Sequence, residues 1–259
     1  MSANEECRAG GIGKPLPRVE DRRLLTGSGQ FSEDYTTASM CHAVLVRSPH
    51  AHAKIKTIDF SRALAASGVL AAMTGADVLA DGLGPMPHNT DWFGPPDAEL
   101  RLPDGFDVFS TEHYPLPTAI ARYVGEAVAL IVAETAAAAT EASEKVDVEY
   151  EILPSVVDAR HAMLTGAPQV WPACPKNLSL TCEVGDELAA EQAFGRASHI
   201  VKFDGWSHRV TGFPLEPRSV VGEYDPASGQ YTLRTASGAG VIRSRERLAA
   251  TLNVPIENC

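Results

Sequence analysis

The chain has 259 residues, 44% of them hydrophobic, and a formal net charge of -11 at pH 7. That length and composition suit one large or two ordinary globular domains and exclude a mostly disordered chain. The acidic balance, with basic residues scattered and outnumbered, argues against a protein that tracks nucleic-acid phosphates, and no run approaches the roughly 20 apolar residues of a membrane helix.

The opening Met1-Ser-Ala-Asn-Glu-Glu-Cys-Arg8 lacks the charged-then-apolar order of a signal peptide, so a soluble, cytoplasmic protein is expected. Residues 1–17 read as an N-terminal tail. Pro15, Pro17 and Gly27-Ser-Gly29 then favour extended and turning backbone, of the kind that wraps a neighbour. His42–Arg47 and residues 53–58 read as strands around a Ser48-Pro49-His50 turn. Ser61 can cap a short helix through Ala66, residues 69–73 read as a strand, and Thr74 or Asp77 opens a helical turn.

Residues 81–118 change character, because Pro85, Pro87, Gly94, Pro95, Pro96, Pro103, Gly105, Pro115 and Pro117 break any regular element. This long loop carries Trp92, Phe93 and Phe106. It either packs on its own domain or contacts a partner subunit or a substrate entrance.

The richest run follows. Residues 124–133 are short, apolar and rich in Val and Ile, which predicts a strand. Thr135 can cap the alanine-rich helix after it, with Glu141 and Lys145 paired four residues apart. Val146, Val148 and Tyr150 then alternate with charges in strand period until Pro154. Together these elements give an α+β domain over residues 18–157. A linker carrying Pro168, Pro172 and Pro175 covers residues 158–179, and a second, incomplete α+β domain is expected over residues 180–259. In it, residues 180–184 and 200–210 read as strands and 187–194 as a helix between them. Residues 219–224 and Gln230–Thr235 form a hairpin around Asp225-Pro-Ala-Ser-Gly229, and 242–252 is an amphipathic helix. The pattern ends without a closing strand, so the sheet needs cover along an edge.

Chemistry of the usual kinds is weakly written. Five widely spaced cysteines, Cys7, Cys41, Cys174, Cys182 and Cys259, announce no disulfide framework, zinc site or iron-sulfur cluster. His42, His50 and His52 lack a completing ligand and suit hydrogen bonds that fix a loop. Gly10-Gly-Ile-Gly-Lys14 runs into Pro15 where a P-loop needs Ser or Thr. No Gly-x-Ser-x-Gly elbow is present. Alternating acidic residues such as Asp147, Glu149 and Glu151 are solvated charges on a strand face.

Read as phrases, the chain is more specific. Gly11-Ile-Gly-Lys-Pro-Leu-Pro-Arg-Val-Glu-Asp-Arg-Arg-Leu-Leu-Thr-Gly-Ser-Gly-Gln-Phe31, Val44-Leu-Val-Arg-Ser-Pro-His-Ala-His-Ala53 and Gly68-Val-Leu-Ala-Ala-Met-Thr-Gly-Ala-Asp77 are followed by the 122–154 run, Leu153-Pro-Ser-Val-Val-Asp158 and Phe213-Pro-Leu-Glu-Pro-Arg218. In this order and spacing they resemble the molybdopterin-binding large subunit of the xanthine dehydrogenase, aldehyde oxidase and carbon monoxide dehydrogenase family. The resemblance covers nearly the whole chain and implies a hammerhead domain followed by the start of a molybdopterin-binding domain.

It also implies site residues. In the family, the phrase around Phe213-Pro-Leu-Glu216 lies beside the molybdopterin, so Phe213 and Glu216 are the candidate cofactor-binding residues, Glu216 more as a paired anchor of its loop than as an acid or base. A family glutamine falls on Val210, which offers neither donor nor acceptor, and a second amide phrase appears as Ala236-Ser-Gly238. The family's Phe-Gly-Gly loop, later pterin loops and catalytic Glu would follow Cys259, so this chain alone is expected to be inactive and carries no assigned catalytic or metal-ligating residue. The whole enzyme would oxidise an aldehyde, an N-heteroaromatic or a similar small substrate with water as oxygen donor. Its partners would be the remaining molybdopterin-binding segment, an iron-sulfur subunit and an FAD subunit. The rival expectation is a non-catalytic interaction or assembly module derived from that subunit.

Overall fold

The computed structural model describes residues 15, 17–87, 109–181, 183–236 and 240–259. In chain order its longer elements are α1 (Asp21–Leu25), β1 (His42–Arg47), β2 (Ala53–Asp59), α2 (Ser61–Leu64), β3 (Val69–Thr74), α3 (Gly75–Ala80), β4 (Ile120–Ala121), β5 (Ala127–Ala133), α4 (Ala136–Ser143), β6 (Asp147–Ile152), α5 (Ala159–Ala162), α6 (Glu187–Arg196), β7 (Val220–Asp225), β8 (Gln230–Thr235) and α7 (Val241–Leu252). The contacts group the described residues within 39–211 and 239–259 into a larger unit and those within 1–38 and 212–238 into a smaller one.

The larger unit holds two antiparallel sheets, ordered β1-β5-β3 and β4-β2-β6. β5 is central in its sheet because Ala-Val-Ala-Leu-Ile-Val-Ala is apolar on both faces, and Val128, Ala129, Ile131 and Ala133 are fully buried. Its neighbour β1 alternates between half-buried and exposed positions, as a strand covered on one face does. α4 lies on this sheet through Ala139 and Ala142, both fully buried, and small side chains let the helix approach closely. Ala63, Ile131 and Ala142 form the core cluster, with Val46, Phe60, Val69, Ala72 and Val146 packed around it. Burying a side chain such as Ile131 stabilises by about 1.5–3 kcal/mol.

The helix-forming signals act as expected in two places. Thr135 Oγ1 accepts the Ala138 N–H at 3.1 Å, and Lys145 reaches Glu141 at 2.7 Å. Thr74 caps α3, its hydroxyl accepting from Asp77 N–H while the Asp77 carboxylate accepts the Thr74 N–H at 2.6 Å.

Other expectations need correction. The 124–133 strand starts only at Ala127, because Gly125 turns the chain at φ +90° and its N–H bonds Ser48 O at 2.8 Å. The expected strand, helix and strand of that run are present in order, and they serve two sheets: β5 joins β1 and β3, whereas β6 joins β2. Ser61 is not the cap of α2. It is the first helical residue, and its N–H and hydroxyl both bond the Asp59 carboxylate, at 2.8 and 3.0 Å.

The largest departure concerns residues 180–184 and 200–210, whose described residues form no strand; Glu183 makes an isolated bridge. Their side chains are ready for a sheet, but β structure requires a partner ladder, and the described residues supply none there. Val201 and Phe203 are 91% and 92% exposed as a result. The helix between them runs two residues further than expected, over Glu187–Arg196, capped by Asp186.

Residues 158–177 are loop-rich, as their prolines predict, yet they are stitched together. The Asn177 side chain donates to Ala162 O and Pro168 O, both at 2.9 Å, and accepts from Val170 N–H at 2.8 Å. Trp171 lies under Arg122, whose guanidinium carbon stands 3.4 Å from the ring centroid. Burial lowers the Arg122 pKa, opposed by nearby Glu126, whose carboxylate accepts the Arg122 N–H.

Candidate functional site

The smaller unit carries both candidate residues. Its frame is the β7–β8 hairpin, paired in register from Val220 with Thr235 to Asp225 with Gln230. Asp225 closes the turn by accepting from the Ala227 N–H at 3.0 Å and from the Ser228 hydroxyl, and Gly229 takes the left-handed position at φ +72°. The Ser228 hydroxyl, and then the Ala227 N–H, hold the Asp225 carboxyl below its ordinary pKa. Tyr224 and Tyr231 meet across the strands with ring centroids 4.6 Å apart.

The Phe213-Pro-Leu-Glu-Pro-Arg218 loop leads into β7. Its two prolines remove backbone donors and restrict φ, which keeps the loop out of helix and sheet. Its two candidate side chains have opposite environments. Phe213 is 99% exposed, and Leu215 beside it 97%. Glu216 is half-buried, and its Oε1 accepts both the Ser32 N–H at 2.9 Å and the Ser32 hydroxyl at 3.0 Å. Ser32 begins a 3₁₀ turn, Ser32–Asp34, whose last residue closes it by accepting the Phe31 N–H at 2.9 Å. From the end of that turn Tyr35 donates its hydroxyl to Glu223 Oε1 at 3.0 Å. Arg234 completes the group, 3.4 Å from Glu223 Oε2 and with its guanidinium carbon 4.2 Å from the Tyr35 ring centroid.

Sequence reasoning named Phe213 and Glu216 but not Ser32, Tyr35, Glu223 or Arg234. No local signal reveals them, because Ser32 and Glu216 are 184 positions apart. Val210 is 91% exposed and has no polar side-chain atom. Ser237 and Gly238, like Trp92, Phe93 and Phe106 of the long loop, lie outside the described residues. The described ends of that loop border a cleft of about 300 Å³ lined by Pro85, Met86, Pro87, Ser110, Thr111 and Glu112.

His50 and His52 serve the scaffold. Buried His52 pairs its Nδ1 with Pro154 O at 2.8 Å, and His50 meets the Tyr150 ring edge-on at 5.0 Å. Among the described residues no group of three or more His, Cys, Asp or Glu could hold a metal ion, and no helix is long and apolar enough to cross a membrane. The loop thus presents an exposed aromatic ring, an adjacent apolar side chain and a carboxylate of fixed orientation.

Two family models match the chain: the aldehyde oxidase and xanthine dehydrogenase a/b hammerhead domain over residues 26–154, and the molybdopterin cofactor-binding domain over residues 170–259. The nicotine 6-hydroxylase large subunit of Paenarthrobacter nicotinovorans is 35% identical over 216 residues, 83% of this chain and 24% of that protein. The carbon monoxide dehydrogenase large chain of Afipia carboxidovorans is 31% identical over 256 residues, 94% of this chain and 29% of that one. Among solved structures, quinoline 2-oxidoreductase from Pseudomonas putida 86 superposes with a TM-score of 0.76 at 31% identity, over 95% of this chain and 29% of that chain. The chain thus spans 24–29% of the length of these relatives.

Proposed function

Since the chain belongs to the aldehyde oxidase and xanthine dehydrogenase family and corresponds to a region of its molybdopterin-binding large subunit, we propose that it acts as the N-terminal part of such a subunit in a molybdenum hydroxylase. A hammerhead domain over residues 18–157 and a linker over 158–179 lead into the first part of the cofactor-binding domain over 180–259. The whole enzyme oxidises an aldehyde, an N-heteroaromatic or a similar small substrate with water as oxygen donor. Two of the similar proteins are named for nicotine and quinoline, which favours the heteroaromatic class. The large-subunit names of relatives support a multi-subunit assembly, and the family resemblance is the ground for assigning the iron-sulfur centres and FAD to its other subunits.

Within this reading, Phe213 and Glu216 form part of the cofactor's wall. When bound, the molybdenum cofactor supplies the two-electron oxidation. Phe213 offers an apolar ring for a flat group to stack on, and its exposure leaves that face open. Glu216 keeps its carboxylate fixed through Ser32, so it can accept a hydrogen bond without first being ordered. Val210 and Gly238 cannot donate a side-chain hydrogen bond, so amide contacts to the cofactor come from other segments.

The observation that carries the reading is the succession of the two matched models in one chain, with the exposed Phe213 ring inside the second. The test is elemental and pterin analysis of the chain purified alone and together with a polypeptide that supplies the remaining length of a large subunit. Close to one molybdenum per assembled chain, with turnover of aldehydes or N-heteroaromatics only in the assembly, is the expected result. A metal-free monomer that fails to associate with that polypeptide would instead favour the interaction module, to which the missing amide at Val210 already points.

A further inference from the structure

The turn that holds Glu216 also holds Glu223. A 3₁₀ turn repeats every three residues, so side chains three apart stand on one face, and Ser32 and Tyr35 have that spacing. Ser32 grips Glu216 through two donors on a single oxygen, and Tyr35 grips Glu223 on β7 through its hydroxyl. The turn itself is closed from within, by Phe31 N–H to Asp34 Oδ2 at 2.9 Å and Asp34 N–H to Phe31 O at 3.0 Å. Arg234, from β8, braces the second grip from both the carboxylate and the ring side.

We propose that residues 31–35 are a two-point clamp and that Ser32 is a positioning residue, which fixes the 213–218 loop against the hairpin and so presents the Phe213 ring. The Tyr35 grip sets the clamp on the rigid strand, and the Ser32 grip transfers that position to the loop. Within the loop, Phe213 and Leu215 are almost fully exposed and the prolines cannot donate, so the Glu216 carboxylate is the side chain that ties it to the turn. The meaning of the clamp for a cofactor rests on the reading under Proposed function, whereas the clamp itself does not.

The experiment uses the full chain. Glu216→Ala removes the acceptor, so the Ser32 amide should exchange with solvent roughly 10-fold faster, the scale of a lost hydrogen bond to a charged group. Ser32→Ala keeps the N–H but loses the hydroxyl, and trypsin should then cut after Arg218 several-fold faster, on the order of 3-fold or more. Arg209, which precedes the loop, is the internal control and should be cut at an unchanged rate. Ser32→Thr restores the hydroxyl and should restore the slow rate at Arg218. In the assembled enzyme, Ser32→Ala should lower pterin occupancy and Ser32→Thr should not. Unchanged cleavage at Arg218 in Ser32→Ala, or equal acceleration at Arg209, would overturn the clamp. Loss of protection at Arg218 in an assembly whose wild type binds no pterin would support the clamp and sink the cofactor reading alone.

Discussion

Residues 127–133 and residues 200–210 both carry large apolar side chains, yet one is the most buried strand of its unit and the other is an exposed segment that pairs with no strand among the described residues. Ile131 is fully buried between β1 and β3, while Phe203 is 92% exposed. Composition explains part of this difference, since 127–133 is apolar throughout whereas 200–210 also carries Lys202, Asp204, Ser207, His208 and Arg209. β5 has partners within reach of its own chain on both edges, and 200–210 finds none among the described residues. Apolar patterning thus makes a segment competent for a sheet, but hydrogen-bonding neighbours decide whether one forms.

The sharpest way to break this comparison is truncation in each segment. Ile131→Ala should cost about 2–5 kcal/mol, as large-to-small changes in a packed core do, and denaturant unfolding of the chain measures it. Phe203→Ala should cost no more than about 0.5 kcal/mol in the same chain. An equal loss in the two variants would mean that 200–210 is packed after all.

Backbone contacts can be probed next. A Cβ on Gly75 would stand 2.5 Å from Pro117 O and 2.7 Å from Leu116 O, so α3 and the 116–117 backbone approach only because that side chain is absent. Gly75→Ala should therefore destabilise by about 1–3 kcal/mol through overpacking, seen as a lower denaturation midpoint. Gly82→Ala makes a useful contrast, since it meets no atom within 4 Å and is strained only by its φ of +74°.

Much of this unit was legible in the sequence. His42–Arg47 and the neighbouring strands have the period-2 pattern and turn residues that mark them locally, and Thr74 and Thr135 cap where their side chains and spacing allow. The start of β5 was not legible, since Gly125 is used as a turn only because Ser48 pairs with it from a distant strand end. The same distance hid half of the candidate site. Glu216 could be named from its phrase, but Ser32, which fixes it, lies in a Gly-rich stretch with no signal of its own. Asn177 was hidden differently: its three hydrogen bonds are short in sequence but depend on a fold of the 158–177 loop that proline content alone does not specify.

That loop supplies a smaller test. Asn177→Ala leaves the Val170 N–H without its acceptor and two carbonyls without their donor, so a loss of about 1–3 kcal/mol is expected. Amide exchange at Val170 should rise, and the indole signal of Trp171 should shift as Arg122 loses its seat. If the exchange is unchanged, the loop is held by contacts other than the Asn177 side chain, such as Arg122 and Phe109 on Trp171.

The smallest effect is one of pH. The Arg160 side chain, and then its N–H, hold the Asp158 carboxyl far below the ordinary carboxylate range of about 4. A depressed folded value means that this stabilisation is present above pH 4 and is lost as pH falls through the folded value. An acid titration followed at the Arg160 side chain by NMR should show no step near pH 4 and a step only below it. Asp158→Asn should remove the transition, and a midpoint near 4 in the wild type would deny the pairing.

The contrast between the two apolar segments is tested most directly by amide hydrogen exchange on one sample, followed by the same sample joined to a polypeptide that supplies the remaining length of a large subunit. In the chain alone, residues 127–133 should exchange only through global unfolding, and 200–210 at close to the rate of unstructured peptide. In the assembly, 200–210 should become protected. Slow exchange of 200–210 in the chain alone, or no gain of protection in an assembly that has formed, would contradict the account.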